Sequence, residues 1–347
     1  MTAPSTTPTA TTTAMTTDDV GFEQATAGYR RELLAHCYRM TGSPSEAEDL
    51  VQETSLRAWR SYGTFEGRAS LRTWLHRIAT NVCLTALEGQ QHRPLPTGLG
   101  APSTTASEPL DERPEVPWLG PLPDAMLGPR DPAEAVVEQD SVRLAFVAAL
   151  QHLPARQRAV LVLRDVLRWS AAEVAEALET TVPAVNSALQ RAHASLAQAA
   201  PDRDRASVGD LDAEQRATLE AYVDAFWRKD VASIARLLTE DAVWEMPPFT
   251  GWYRGPEVIA GLIDTQCPGG PHDMPMVATT SNGQPAFGLY LREGGEGTRF
   301  LPFQLQVLEL DGDRVSHVVA FFDTDSFARA GLPSELSADD VRVPVRG

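Results

Sequence analysis

Thr73, Arg77 and Asn81 fall at i, i+4 and i+8, so in a helix they share one line along its surface. Side chains of these types do no proton-transfer or nucleophilic work at that spacing. They can hold an anion and exchange hydrogen bonds with polar edges. Between Arg60 and Arg77 stand four Arg and one acid, so the line lies in a locally basic patch. A second polar face follows from Asp49, Gln52, Glu53 and Leu56, at i, i+3, i+4 and i+7, opposite Ala47, Leu50, Val51 and Thr54. A third comprises Asn186, Ser187, Gln190 and Arg191, left outside if Val182, Val185, Leu189 and Leu196 turn inward. Cys37, Cys83 and Cys267 have neither disulfide nor metal-ligand spacing and read as buried thiols, so no metal is expected.

The elements that must carry these faces are helices. Leu71, Trp74, Leu75, Ile78 and Val82 form an apolar stripe beside the Thr73 line, and GTFEGRAS supplies the preceding loop. SEAEDLVQETSLRAWR opens with Ser45 and Glu48 at capping-box spacing. Ser170 and Glu173 repeat that spacing before AAEVAEAL, and Thr181 with Pro183 can start a last helix, giving a helix-turn-helix pattern. Past Pro201 two amphipathic helices run into a strand, and FLPFQLQVLELDGDRVSHVVAFFD alternates around a DGD turn as a hairpin does, which makes the tail α+β.

The net charge of −17 argues against nucleic acid only if it is spread evenly. It is −2 over residues 1–92, −6 over 93–140, +2 over 141–200 and −11 over 201–347, so two segments can approach phosphate and two are repelled by it. No run is long and apolar enough to span a membrane and no signal peptide opens the chain, so a cytoplasmic protein without membrane partners is expected. Residues 1–20, very rich in Thr, read as a disordered tail in which Met15 is an alternative start. Residues 93–140 are an acidic, Pro-rich linker whose VPWL suits docking on a neighbouring domain or on a partner.

Taken together, AEDLVQETSLRAW, FEGRASLRTWLHRIATN and LPARQRAVLVLRDVLRWSAAEVAEALETTVPAVNSALQRA resemble the extracytoplasmic-function sigma factors of the sigma-70 class over residues 24–200, and the linker and VNSALQRA resemble the SigG-like subgroup with a C-terminal SnoaL-like domain. The resemblance implies a multidomain chain: an all-α sigma2 bundle at 21–92, the linker, an all-α sigma4 helix-turn-helix at 141–200, an α+β NTF2-like cone at 208–332 and a tail at 333–347. It implies an alternative sigma factor, partnered by core RNA polymerase (beta-prime clamp helices and beta flap) and promoter DNA, without cofactors or enzymatic activity. Asp49, Gln52, Glu53 and Leu56 are then expected to dock on polymerase. Arg68, Arg72, Thr73, Arg77 and Asn81 would open and read the minus-10 element, and Asn186, Ser187, Gln190 and Arg191 the minus-35 element. Against the ketosteroid isomerase pattern Tyr222 matches, but Met246 stands at the base position and the second acid falls near Gln306. The cone is therefore expected to bind rather than turn over, with Tyr222, Trp244, Trp252, Tyr253, Phe303 and Phe321 as a candidate pocket wall for a small ligand. Its acidity is expected to modulate the sigma module by competing with promoter phosphate for Arg191 or the Arg68–Arg77 surface. A helix-turn-helix regulator with a ligand-sensing domain is the alternative, and it leaves residues 24–92 without a task.

Overall fold

The computed structural model describes residues 17–128, 141–199, 211–294 and 297–341. The first helical unit comprises α1 (Thr17–Thr26), α2 (Arg30–Thr41), α3 (Pro44–Ser61) and α4 (Leu71–Ala86). Of the tail expected at 1–20, residues 1–16 lie outside the described part, and the first helix already begins at Thr17. α3 starts two residues before the SEAE pattern suggests: Ser43 is the N-cap, its Oγ accepting from Glu46 N, and Pro44 takes the first turn, where a missing N–H costs nothing. α2 ends on Gly42 in the left-handed conformation, and a Cβ there would meet Leu119 Cδ1 at 2.7 Å, so that turn needs glycine twice over.

The second helical unit holds α5 (Leu144–Gln151), α6 (Ala155–Leu161), α7 (Ala171–Ala177) and α8 (Val182–Ala199). The capping box of Ser170 and Glu173 is formed, and Ala184 N donates to Thr181 Oγ1, as the sequence predicts. Val185 is buried, but Val182 is 40% exposed rather than inward, because it stands in the first turn, ahead of the α7–α8 packing.

The C-terminal unit packs α9 (Ala213–Trp227), α10 (Val231–Leu237) and α11 (Pro256–Gln266) on a sheet of β1 (Leu238–Glu245), β2 (Trp252–Arg254), β3 (Met276–Ser281), β4 (Gln284–Arg292), β5 (Arg299–Asp311) and β6 (Arg314–Phe321). Strand order is β2-β1-β6-β5-β4-β3; only the β1–β6 pair is parallel. The expected DGD hairpin joins β5 to β6, with Gly312 at positive φ. After α12 (Asp325–Arg329), the short β7 (Leu336–Ser337) pairs with β5 and buries Leu336. Residues 333–341 are thus tied down rather than a loose tail, because the Phe300 edge of β5 offers both backbone partners and an apolar seat.

Side chains alternate across the sheet, so it has two apolar faces. One, with Leu308, Leu310, Val318, Ala320 and Phe287, packs on Tyr222, Phe226 and Trp244. The other, with Ala286, Leu305, Val307, Val319 and Phe321, joins a continuous core with Leu33, Leu34, Tyr38 and Leu75 of the first helical unit and with Val142, Leu144 and Val147.

The linker runs through this junction instead of hanging between domains. Ser103 N donates to Trp252 O (2.7 Å), Arg113 N to Pro248 O (2.8 Å) and Thr97 N to Glu245 Oε2 (2.7 Å). Of VPWL, Leu119 is wholly buried and Trp118 half-buried, so the segment docks on the chain's own domains. Residues 129–140 lie outside the described part.

Candidate functional site

On α3, Asp49, Gln52 and Leu56 are exposed, and Glu53 is half-buried and bonded to Arg57 (2.6 Å). The helix keeps them outside because Ala47, Val51, Thr54 and Ala58 fill the inward line. Trp59 was not anticipated as part of this face. It is half exposed, as is Leu56 one turn earlier, and the two form an apolar centre beside the acids. The signal was in the sequence, since Leu56 and Trp59 are spaced i, i+3.

α4 is capped by Ser70, whose Oγ accepts from Thr73 N (3.0 Å). Leu75, Ala79, Val82 and Cys83 face the core, while Arg68, Arg72 and Asn81 are exposed and Thr73 and Arg77 half-buried. Trp74 is also half-buried, 4.9 Å from the Phe65 ring. Among the described residues the cations do not meet acids of the C-terminal unit. Arg72 pairs with Glu32 of α2 (2.5 Å), Arg68 with Glu66, and Arg77 with Glu176 of α7 (3.3 Å). Competition from the acidic tail is therefore not the arrangement seen at this surface. The reason is geometric: the C-terminal unit faces the first helical unit with an apolar sheet, and the acid that meets Arg77 is Glu176 of α7.

Two buried histidines lie behind the basic face. His36 and His76 meet edge to face at 5.4 Å, and burial is the first cause that lowers both, His76 to about 4. Cys37 and Cys83, distant in sequence, are hydrogen-bonded neighbours in the same core, and that bond followed by burial pushes the Cys83 thiol well up.

On α8, Asn186, Ser187, Gln190 and Arg191 are all exposed and share one face. His193 on the next turn pairs with Asp165 (2.6 Å). This helix and α4 belong to one packed body: Arg158 of α6 donates to Met40 O at the end of α2, and Leu84 of α4 packs on the Val160–Val185 cluster.

The six aromatic residues do not line one cavity. Tyr222, Trp244 and Tyr253 are buried in the α9–sheet core, and Tyr222 Oη donates to Gln306 Oε1 (2.7 Å). Phe321 points to the other sheet face and, with Trp118, Phe249 and Phe322, lines a cleft of about 460 Å³ between the linker, α3 and the sheet. Trp252 is half-buried, its Nε1 donating to Gly100 O (2.9 Å), and Phe303 stacks edge-on against Phe322. Strand alternation separates them; the sequence pattern shows aromatic content but not which face each ring takes.

Sequence reading also missed Asn282. It sits with Gly283 in the β3–β4 turn, both at positive φ, and is fully buried. Its Oδ1 accepts from Leu122 N (2.8 Å), and its Nδ2 donates to Val142 O (2.7 Å) and Tyr38 Oη (2.8 Å). One side chain thus ties the C-terminal turn to the linker, to the entry of the second helical unit and to α2. The Asn-Gly pair in SNGQP marks the hairpin turn, but nothing local marks it as a junction.

Two helical units that present polar faces, packed together on an α+β cone with residues 93–128 running through the junction, define a class of protein. Residues 27–93 match the family model for Sigma-70 region 2, residues 143–196 that for Sigma-70, region 4, and residues 219–322 that for the SnoaL-like domain. The chain is 57% identical over 317 residues, 91% of its length and 85% of the other's, to the ECF RNA polymerase sigma factor SigG of Mycobacterium tuberculosis. It is 29% identical over 250 residues to SigJ of the same organism, covering 69% of this chain and 72% of that one. The SigJ crystal structure superposes with a TM-score of 0.57 at 21% identity, over 88% of this chain and 98% of that one, and so shares the fold. The chain belongs to the ECF RNA polymerase sigma factor family, and its architecture is two helical sigma domains followed by an NTF2-like domain. Among the described residues no helix is long and apolar enough to cross a membrane.

Proposed function

We propose that this sigma factor binds core RNA polymerase through α3, opens the minus-10 element with α4 and reads the minus-35 element with α8, and that its described form is a closed one from which those surfaces must be released. The domain division at 21–92, 141–200 and 208–332 is part of this reading. The observation that carries it is the Arg77–Glu176 pair, in which an acid of one DNA-reading domain is bonded to a cation of the other. Two promoter elements about two turns of B-DNA apart lie roughly 70 Å from each other. Domains packed into one body do not span that distance, so opening precedes promoter binding.

Asp49, Gln52, Glu53 and Leu56, joined by Trp59, supply an acidic rim around an apolar centre. That composition suits a basic surface on polymerase, the charges favouring encounter and the apolar side chains affinity. Arg68, Arg72 and Arg77 hold phosphates, and Thr73 and Asn81 reach base edges. On α8, readout falls to Asn186, Ser187 and Gln190, with Arg191 as the exposed cation, so minus-35 affinity is modest and salt-sensitive. The C-terminal domain works as a binding and regulatory part, because Met246 and Gln306 stand where an isomerase needs carboxyl groups and Tyr222 spends its hydroxyl on Gln306.

Run-off transcription with purified core polymerase tests this reading. The intact chain should direct initiation from a subset of promoters, and Asp49→Lys with Glu53→Lys should abolish it while the fold survives. Transcription at the level of core alone on every genomic promoter, or unchanged core affinity in the double variant, contradicts it.

A further inference from the structure

A cleft of about 310 Å³ opens where the end of α4 meets α5 and α6. The sigma2 side contributes Gln90, Gln91, His92 and Arg93, and the sigma4 side His152 and Arg158. Among the described residues none that lines it is Asp or Glu, although the chain as a whole carries a net charge of −17. Such a bias in an acidic protein is informative about what the cleft accepts.

The charges are not all spoken for. Arg93 is neutralised by Glu46 (2.5 Å) and also donates to Trp118 O. Arg158 is different. It is 4% exposed, and its guanidinium donates to Met40 O, Gln151 Oε1 (2.7 Å), Gln151 O (3.2 Å) and Leu153 O (3.1 Å). These acceptors are neutral, so they satisfy N–H groups without supplying a counter-charge. Its Nε has no hydrogen-bond partner among the described residues. Burial lowers Arg158 to about 10, which leaves it protonated at neutral pH.

His92 and His152 are exposed above it, their ring centroids 6.1 Å apart. His152 is lowered by burial first, then by His92 and by Arg158. The groups facing the two imidazoles are thus each other, Arg158, and an Arg93 already paired with Glu46. An anion placed between them would meet the two imidazoles and the Gln90 and Gln91 amides, in the field of the Arg158 charge buried beneath them. The volume lies near the lower end for small-ligand sites and is far too small for a nucleic acid duplex.

We propose that this cleft binds the phosphate or pyrophosphate group of a small phosphorylated molecule, and that the bound anion clamps sigma2 to sigma4. The clamp follows from the lining: His92 and His152 come from different domains, so the site is complete only while the two are packed, and a ligand that binds one arrangement stabilises it. Binding therefore rests on the closed reading above, in that the free chain must keep the two domains packed, but not on polymerase docking or promoter readout.

Isothermal titration calorimetry of the full chain with inorganic pyrophosphate, in buffers of different ionisation enthalpy, tests it. One site per chain is expected, with net proton uptake, because the anion offsets what holds the His152 imidazole below its ordinary value. Affinity is then greatest below the free His152 pKa and falls as pH rises through the bound one. His92→Gln and His152→Gln should each weaken binding by about tenfold, and His152→Gln should reduce the proton uptake; both residues are exposed, and circular dichroism verifies that the fold is kept. ADP displacing pyrophosphate would support a nucleotide as the source of the group. The proposal is overturned by absence of binding at millimolar pyrophosphate, by unchanged affinity in the double variant, or by sulfate binding equally well. It is also overturned if duplex DNA competes for the same histidines more tightly than pyrophosphate does. None of these outcomes depends on polymerase, so failure here and failure of the sigma reading are distinguishable.

Discussion

The two faces of the C-terminal sheet are built from the same alternating strands and do opposite things. On one face Tyr222, Phe226 and Trp244 fill the interior of the cone, and the Tyr222 hydroxyl ends on Gln306. On the other, Ala286, Val307 and Val319 share a core with Leu33, Leu34 and Tyr38 of sigma2. A face that would be solvated in a free-standing domain is here the seat of the sigma domains. The difference teaches that the NTF2-like unit packs on the sigma domains through its outer surface, and that its apolar content cannot be assigned to a ligand pocket by counting aromatic residues.

The largest effect is expected where charge is buried in that outer junction. Arg143, next to α5, pairs with Glu309 of β5 at 2.9 Å, with both side chains about nine-tenths buried. Arg143→Ala should cost about 3–5 kcal/mol by removing the 2.9 Å ion-pair partner from a nearly buried carboxylate. Denaturant unfolding measures it, and a loss below about 1 kcal/mol would mean that water reaches the junction.

Acid should act next, and on sigma2 rather than on the cone. His76 and His36 are held below their ordinary value, chiefly by burial, His76 down to about 4. A depressed histidine is neutral when folded and takes up a proton when unfolded. Its contribution to stability is therefore present above pH 6.5 and lost as pH falls through the folded value. His76 alone removes about 3 kcal/mol by pH 4. His76→Gln should flatten the stability profile between pH 6.5 and 4, as followed by thermal melts.

Asn282→Gly sharpens the comparison because glycine keeps the positive-φ turn and deletes the side-chain bonds to Leu122, Val142, Tyr38 and the neighbouring Ser281. A loss of about 2–3 kcal/mol is expected at the junction, with faster proteolysis in the linker and an intact cone. Equal linker protection in variant and parent would place the restraint elsewhere.

Arg77→Ala is the smallest in stability and the most specific in function. Its exposed pair with Glu176 contributes about 1 kcal/mol or less, whereas loss of a promoter contact costs about 1–3 kcal/mol. Permanganate reactivity of promoter thymines should fall while polymerase recruitment holds; normal reactivity contradicts the role given to α4.

What was legible in the sequence follows from range. The helices, the Ser170–Glu173 capping box, the Thr181 cap and the DGD hairpin are fixed by residues within a few positions of one another. The exposure of Asp49, Gln52, Arg72 and Asn81 followed from helical periodicity alone. What could not be read depends on contacts between distant segments: Leu119 sealing Gly42, Asn282 reaching Tyr38, Glu176 meeting Arg77. The linker misled for the same reason. Its Pro-rich, acidic composition describes an extended chain, but Thr97 and Ser103 find backbone and carboxylate partners on the sheet.

The central claim, that the domains are closed in the free chain and separate on the promoter, is tested most directly by one distance. Spin labels at Glu23→Cys and Ala194→Cys, both exposed, report on sigma2 and sigma4. Pulsed electron resonance should give a single short distance for the free protein. With core polymerase and promoter the distribution should move out toward roughly 70 Å, the span of two turns of B-DNA. An unchanged short distance in a complex that transcribes would contradict the account.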